Sequence, residues 1–382
     1  MKSKFLIVIA ILALVVCSQT GCGLLDQTVG GFSDIVGYNE TATVIAKTAQ
    51  IRTSYAVVAA DLLEVKRNDR LDILDQTEFE KVVWYRVRAH DEAKTEGWIE
   101  AQNIITSQVL EKSKKLAEEF KDQQPQAAGQ LRAVSNLRLA PDMNPDNLLY
   151  KLASGSTFDI MSSKLVPKQE VADVDDAPKG QQSQSRKSRN EEIEAAKDDD
   201  EPDKLDDKYD VWYEVRLDPS VSPAPAGWLF GRQVELAVPT DILFYQENNR
   251  KFVAWQRLDT DASDKVGATT TKASTPGNWV VLSRTNAVKA IDGVEPDFDG
   301  IVVYAFDKFN QDYYMVWRTS GEVWGLLPMR VEGSGDSKTF TVKLRNGSGA
   351  MDEKRFVVIR DKNRLRVTPP EDIAQYQQPR KR

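Results

Sequence analysis

A chain of 382 residues, 41% of them hydrophobic, is long enough for two or three packed domains. Its formal net charge of −7, with lysine and arginine scattered rather than gathered in one stripe, argues against nucleic acid as a partner. Both cysteines lie within the first 22 residues, so the rest of the chain has no disulfide and depends on hydrophobic cores.

The chain opens with Lys2 and Lys4, followed by an uninterrupted apolar run over residues 5–16. As a helix that run reaches about 18 Å, against the roughly 30 Å hydrocarbon core of a bilayer. It reads as the apolar region of a signal peptide rather than as a spanning anchor. In Ser18-Gln19-Thr20-Gly21-Cys22 a cysteine directly follows small residues. This string resembles a bacterial lipobox, whose cysteine thiol receives a diacylglycerol before cleavage. Gly21 suits the small position ahead of the cysteine, while Gln19 stands where the pattern prefers leucine. Cys22 is the favoured lipidation site. Cys17 is the alternative, with Leu14 well placed but bulky Val16 at the cleavage point. The resemblance implies a signal peptide over residues 1–21, a tether over 22–43, and attachment to a membrane through an N-terminal lipid. Leu24 replaces the aspartate of an inner-membrane retention signal, which places the protein at the periplasmic face of the outer membrane in a Gram-negative host.

Beyond the tether, one unit is written twice. Ala49-Gln50-Ile51-Arg52 corresponds to Ser135-Asn136-Leu137-Arg138, and residues 65–74 align without a gap to residues 152–161. Trp84-Tyr85-Arg86-Val87-Arg88 matches Trp212-Tyr213-Glu214-Val215-Arg216, and Gly97-Trp98-Ile99 matches Gly227-Trp228-Leu229. Asn68 and Gly155 occupy one turn position, and both residue types tolerate positive φ. Val83, Tyr85 and Val87 alternate with Trp84, Arg86 and Arg88, the period of a strand whose first set fills a core and whose second faces outward.

These blocks resemble the bacterial SH3 (SH3b) domain, with its leading V-R, glycine turn, W-Y-x-V-R strand and closing G-W-V. The resemblance implies two SH3-like small barrels, at residues 44–106 and 130–237, that bind extended chains in shallow aromatic grooves. Trp84, Trp98, Trp212 and Trp228 are then the candidate ligand contacts, with completion of the barrel core as their other role. The second copy is interrupted: Arg52 to Trp84 spans 32 positions and Arg138 to Trp212 spans 74. The excess falls at residues 164–208, too polar to offset ordering entropy, and is expected to be a disordered loop. Its Asp198-Asp199-Asp200-Glu201 run reads as solvated charge, since a calcium loop needs a turn glycine and fixed ligands that are missing.

Between the copies, residues 107–129 form a linker. Val109, Leu110, Leu116, Ala117 and Phe120 share one side of a helix expected over residues 107–123, which Pro125 ends. Residues 238–370 carry short β-rich runs separated by turns such as Asn346-Gly347 and Gly333-Ser334-Gly335-Asp336. They predict an antiparallel barrel or sandwich, so the whole chain is expected to be mainly β. Trp255, Trp279, Tyr304, Tyr313, Trp317 and Trp324 are read as core in preference to a ligand cavity. The polar tail, residues 371–382, is expected to fray.

Catalytic signals are sparse. No cysteine follows Cys22, which removes thiolate chemistry, and the single histidine, His90, cannot make the usual zinc hydrolase site. No Gly-x-Ser-x-Gly elbow accompanies His90, and no glycine-rich phosphate loop occurs. Neither a cofactor nor a metal is expected. The leading expectation is a non-enzymatic, membrane-anchored envelope lipoprotein binding peptidoglycan peptides or an envelope protein. The alternative is a peptidoglycan hydrolase whose carboxylates come from Asp292, Glu295, Asp297 and Asp299.

Overall fold

The computed structural model describes residues 40–168, 208–247, 249–259, 276–285, 287–361 and 364–378. The protein is mainly β. Seven strands come first: β1 (Thr41–Val44), β2 (Thr48–Arg52), β3 (Asp61–Lys66), β4 (Arg70–Phe79), β5 (Val82–Ala89), β6 (Glu96–Glu100) and β7 (Ile104–Thr106). They form one antiparallel sheet in the order β3-β2-β6-β5-β4-β1-β7. Ala42, Ile51, Leu71, Val87, Ile99 and Ile104 meet in one core, so the sheet rolls until its distant strands face each other. Its end strands β3 and β7 do not pair, which leaves the barrel open.

The helix α1 (Ser107–Glu119) leads to a second set of seven. These are β8 (Ala127–Leu131), β9 (Ser135–Arg138), β10 (Leu148–Leu152), β11 (Thr157–Pro167), β12 (Tyr209–Arg216), β13 (Ala226–Phe230) and β14 (Val234–Leu236). Their order, β10-β9-β13-β12-β11-β8-β14, repeats that of the first sheet strand for strand. The repeated blocks have local causes. Asn68 and Gly155 both adopt positive φ, +72° and +78°, at equivalent turns. A Cβ on Gly97 would lie 2.5 Å from the Arg52 carbonyl oxygen, and one on Gly227 would lie 2.6 Å from Leu137. The glycine before each closing tryptophan is therefore required where β6 crosses β2 and β13 crosses β9.

Several expected boundaries move. β1 begins at Thr41, inside the expected tether, and β8 begins at Ala127, inside the expected linker. Both are short and rich in small residues, so no periodic signal marks them. The helix ends at Glu119 rather than at Gln123, because Phe120 turns inward and is buried beside Met161 and Ala226. Residues 164–167, assigned to the loop, extend β11 and pair with β12 as far as Pro167 opposite Tyr209. In the first copy this hairpin closes with Glu80 and Lys81, both at positive φ, the geometry of a tight two-residue turn. The Lys168 amide donates to the Lys208 carbonyl at 3.0 Å; residues 169–207, including Asp198–Glu201, lie outside the described residues, as do Cys17 and Cys22.

The third module is a sandwich. One sheet joins β15 (Lys251–Arg257), β16 (Trp279–Arg284), β17 (Gly300–Asp307) and β18 (Asp312–Arg318). After β19 (Glu322–Val323), the other sheet joins β20 (Gly325–Ser334), β21 (Ser337–Arg345), β22 (Met351–Asp361) and β23 (Arg364–Thr368). Val280, Leu282, Ile301 and Val303 face Phe340, Val342, Phe356 and Val358 in the space between them. The expected loose tail is corrected: Tyr376 is buried, its hydroxyl donates to Asp352, and β24 (Gln377–Gln378) pairs with β19. Residues 379–382 are outside the described set.

The modules share a core. On the other face of the first sandwich sheet, Phe252, Trp255, Trp279, Val281, Val302 and Tyr304 pack with second-barrel residues including Leu137, Phe158 and Leu229. Ile45, Ile105, Val109 and Leu110 bring the first barrel and α1 into the same cluster. The Gln124 and Gln126 side chains complete the joint by hydrogen bonding to the backbone of Val331 and Met329, where the register of β20 shifts. Pro328 contributes no N–H there, so the side-chain amides serve as a substitute strand.

Candidate functional site

The four repeat tryptophans divide into two pairs. Trp84 and Trp212 are 6% and 2% exposed, and the Trp212 ring lies 5.2 Å from Phe230 on the next strand. Of the two roles the sequence allows them, ligand contact and completion of the barrel core, their burial favours the core. Alternation separates two faces of a strand without revealing whether the second is covered, and at Trp84 both faces are: Val87, on the opposite side, is also buried. Trp98 and Trp228 are half-buried and retain exposed ring surface.

Of this half-buried pair, among the described residues, only Trp98 makes a ring–ring contact. Its ring meets Tyr55 edge-on at 5.2 Å, and Tyr55 contacts Phe79 at 5.1 Å. Tyr55 belongs to the loop between β2 and β3, which Arg52 pins from below. The Arg52 guanidinium donates to the carbonyls of Val57 at 3.0 Å and Ala59 at 2.9 Å, and pairs with Asp61 at 3.4 Å. The pinned loop presents Val57 and Val58 at 82% and 93% exposure, with Leu62, Phe79 and Val82 also exposed. Isolated exposed hydrophobics are ordinary, whereas here several surround one ring cluster. Tyr55 and Phe79 are not among the candidate contacts that the SH3b resemblance implies. Their signal was the apolar string Tyr55-Ala56-Val57-Val58 inside a Thr/Ser-flanked loop.

The second barrel builds the equivalent loop differently. Arg138 again donates to a loop carbonyl, that of Asn144 at 2.9 Å, but Asp142 ties the loop to Asn147. Met143 is exposed there, and Trp228 makes no ring–ring contact among the described residues. The two copies share a scaffold without sharing a surface.

The acidic cluster of the third module is committed to internal partners. Asp299 is buried, accepts hydrogen bonds from the Thr285 amide at 2.8 Å and hydroxyl at 2.6 Å, and lies 3.8 Å from Arg250. Arg250 also pairs with Glu322 at 3.0 Å. Asp297 accepts from the Leu327 amide, and desolvation, offset in part by that bond and by Arg284, raises its pKa to about 6. Glu295 pairs with Arg284 at 3.0 Å and Asp292 with Arg345 at 2.9 Å. His90 is half-exposed and bonded to Asp72. Among the described residues, no group of three or more His, Cys, Asp and Glu side chains is placed to hold a metal ion, and no helix is long and apolar enough to cross a membrane. The six aromatic residues singled out from the sequence of this module are core, with Trp255, Trp279, Tyr304 and Trp324 buried and Tyr313 and Trp317 packed against the clusters.

The geometry describes a β-rich protein whose first barrel carries an exposed aromatic and apolar cluster around Trp98. No family model matches the chain, and no curated protein matches it.

Proposed function

We propose that the protein is a lipid-anchored envelope lipoprotein that binds an extended chain, from peptidoglycan peptides or an envelope protein, on the Tyr55–Phe79–Trp98 surface. The observation that carries this reading is the ring cluster beside a loop whose valines face solvent while Arg52 fixes its backbone. A rigid apolar surface loses little entropy on binding. Next to it, β3 is an end strand of its sheet, and its outer backbone groups can pair with an added strand. Acylation of Cys22 would supply the tether, in keeping with the lipobox resemblance.

The bonded carboxylates of the third module disfavour the hydrolase alternative, because Asp299 has a side-chain exposure of only 1%. Sedimentation with purified sacculi tests wall binding, and cross-linking in native membranes tests protein docking. Retention by sacculi or capture of an envelope protein supports the reading. Failure of both refutes it. Palmitate labelling that persists in Cys22→Ala would refute the assigned anchor.

A further inference from the structure

We infer that the cleft between the two barrels is a second binding site, for a short peptide carrying free carboxylates. The cleft has a volume of about 480 Å³, within the range of roughly 300–1,000 Å³ typical of small-ligand pockets. The first barrel contributes the turn after β1, with Ile45, Ala46 and Lys47, together with Arg67. The second contributes the β10–β11 hairpin, from Tyr150 to Thr157, and the Ser220–Val221 loop.

Its width is fixed. Arg67 donates to the Ser220 carbonyl of the second barrel at 2.6 Å and to the Ile45 carbonyl of its own barrel at 3.1 Å, while Asn68 reaches the Pro219 carbonyl at 3.4 Å. The turn written in both copies thus lines the cleft from one side and ties it from the other. Ile45 and Leu152, 5% and 2% exposed, form an apolar floor.

The rim is cationic. Lys47 and Lys151 are exposed and form no ion pair among the described residues, and Arg67 adds a third positive charge. No aspartate or glutamate lines the cleft, although the chain carries a net charge of −7. Like charges gathered around one concave surface raise its potential, and an anion entering the cleft relieves it. The floor adds selectivity. An inorganic anion satisfies the cations alone, whereas a peptide with small apolar side chains and free carboxylates satisfies both rim and floor. This site is separate from the Trp98 surface, so the two assignments stand or fall independently.

The test is titration of the ¹⁵N-labelled full-length protein with the tripeptide Ala-Ala-Glu, its neutral amide Ala-Ala-Gln-NH2, and inorganic phosphate. Saturable shifts at the amides of Lys47, Lys151 and Ser156 are expected with Ala-Ala-Glu in the low-millimolar range. The shifts should weaken as salt rises. Charge reversal at Lys47→Glu or Lys151→Glu should weaken binding roughly tenfold. Both side chains are exposed, so the fold should persist, and unchanged core resonances such as Val358 would verify this. The inference is overturned by absent saturable shifts, by equal binding of the neutral amide, or by phosphate binding as tightly as the acidic tripeptide. Shifts at Tyr55 and Trp98 report the other surface in the same spectra.

Discussion

Replacing Gln126 by leucine keeps the side chain's bulk and removes every polar contact it makes. Gln126 is fully buried; its Nε2 donates to the carbonyls of Gln124 at 2.8 Å and Met329 at 3.0 Å, and its Oε1 accepts the Met329 amide at 2.7 Å. After Gln126→Leu the Met329 carbonyl keeps Gln256 at 3.1 Å, but the Met329 N–H loses the partner recorded for it. An unsatisfied buried donor costs about 1–3 kcal/mol, and each lost neutral hydrogen bond roughly 0.5–1.5 kcal/mol, so a total near 3 kcal/mol is expected. By the scaling for domains of 150–250 residues, this lowers Tm by roughly 6–12 °C. Denaturant titration measures the loss, and hydrogen exchange at Met329 and Val331 locates it. Gln124→Leu, at a half-buried position, should cost less. A change below about 0.5 kcal/mol for Gln126→Leu, the level of ordinary surface substitutions, would show that the glutamine pair does not hold the modules together.

Gly97→Ala should destabilise the first barrel by about 1–3 kcal/mol through overpacking against Ile51 and the Arg52 carbonyl. Faster exchange of β2 and β6 amides, with the sandwich unaffected, is the expected pattern. Asp297→Asn tests the raised pKa. The native value of about 6 exceeds the roughly 3.9 of an unfolded aspartate, so stability is full below pH 4 and lost as pH rises through 6. Asparagine does not ionise, so the variant should gain on the wild type between pH 4 and 7. The ceiling is about 3 kcal/mol, reduced by the side chain's partial solvent contact; a gap independent of pH would contradict the assignment. Replacing residues 169–207 by Asn-Gly should leave β11 and β12 paired, since Glu80 and Lys81 close the equivalent hairpin. Circular dichroism and thermal melting would detect a collapse of the second sheet.

The repeat was legible because its key residues answer to local geometry. Gly97 and Gly227 are dictated by strand crossing, and Asn68 and Gly155 by positive φ, so both leave a mark in the sequence. The β-rich runs of residues 238–370 include the stretches that form β16, β17, β18, β21 and β22, whereas β20, broken by Pro328, and β23, with Arg364 and Arg366, carry no such run. The small-residue strands β1 and β8 carry no apolar alternation. The candidate site was half legible. The motif points to Trp98, whereas for Trp84 and Trp212 the sequence leaves ligand contact and barrel core both open, because a pattern within one strand does not say what packs above it. Tyr55, Phe79 and Trp98 come from three separated segments that only the rolled sheet brings together, and Lys47, Arg67 and Lys151 meet only because the two barrels pack against each other.

Binding isotherms for purified sacculi and for envelope extract, compared between the wild type and Trp98→Ala, bear most directly on the central claim. Loss of a central aromatic contact typically costs at least about 2 kcal/mol, so affinity for whichever partner binds should fall roughly thirtyfold. Trp228→Ala, which removes a ring without aromatic neighbours, should change it little. Equal affinity for the wild type and Trp98→Ala, with the fold intact, would contradict the assignment of the gripping surface to the first barrel.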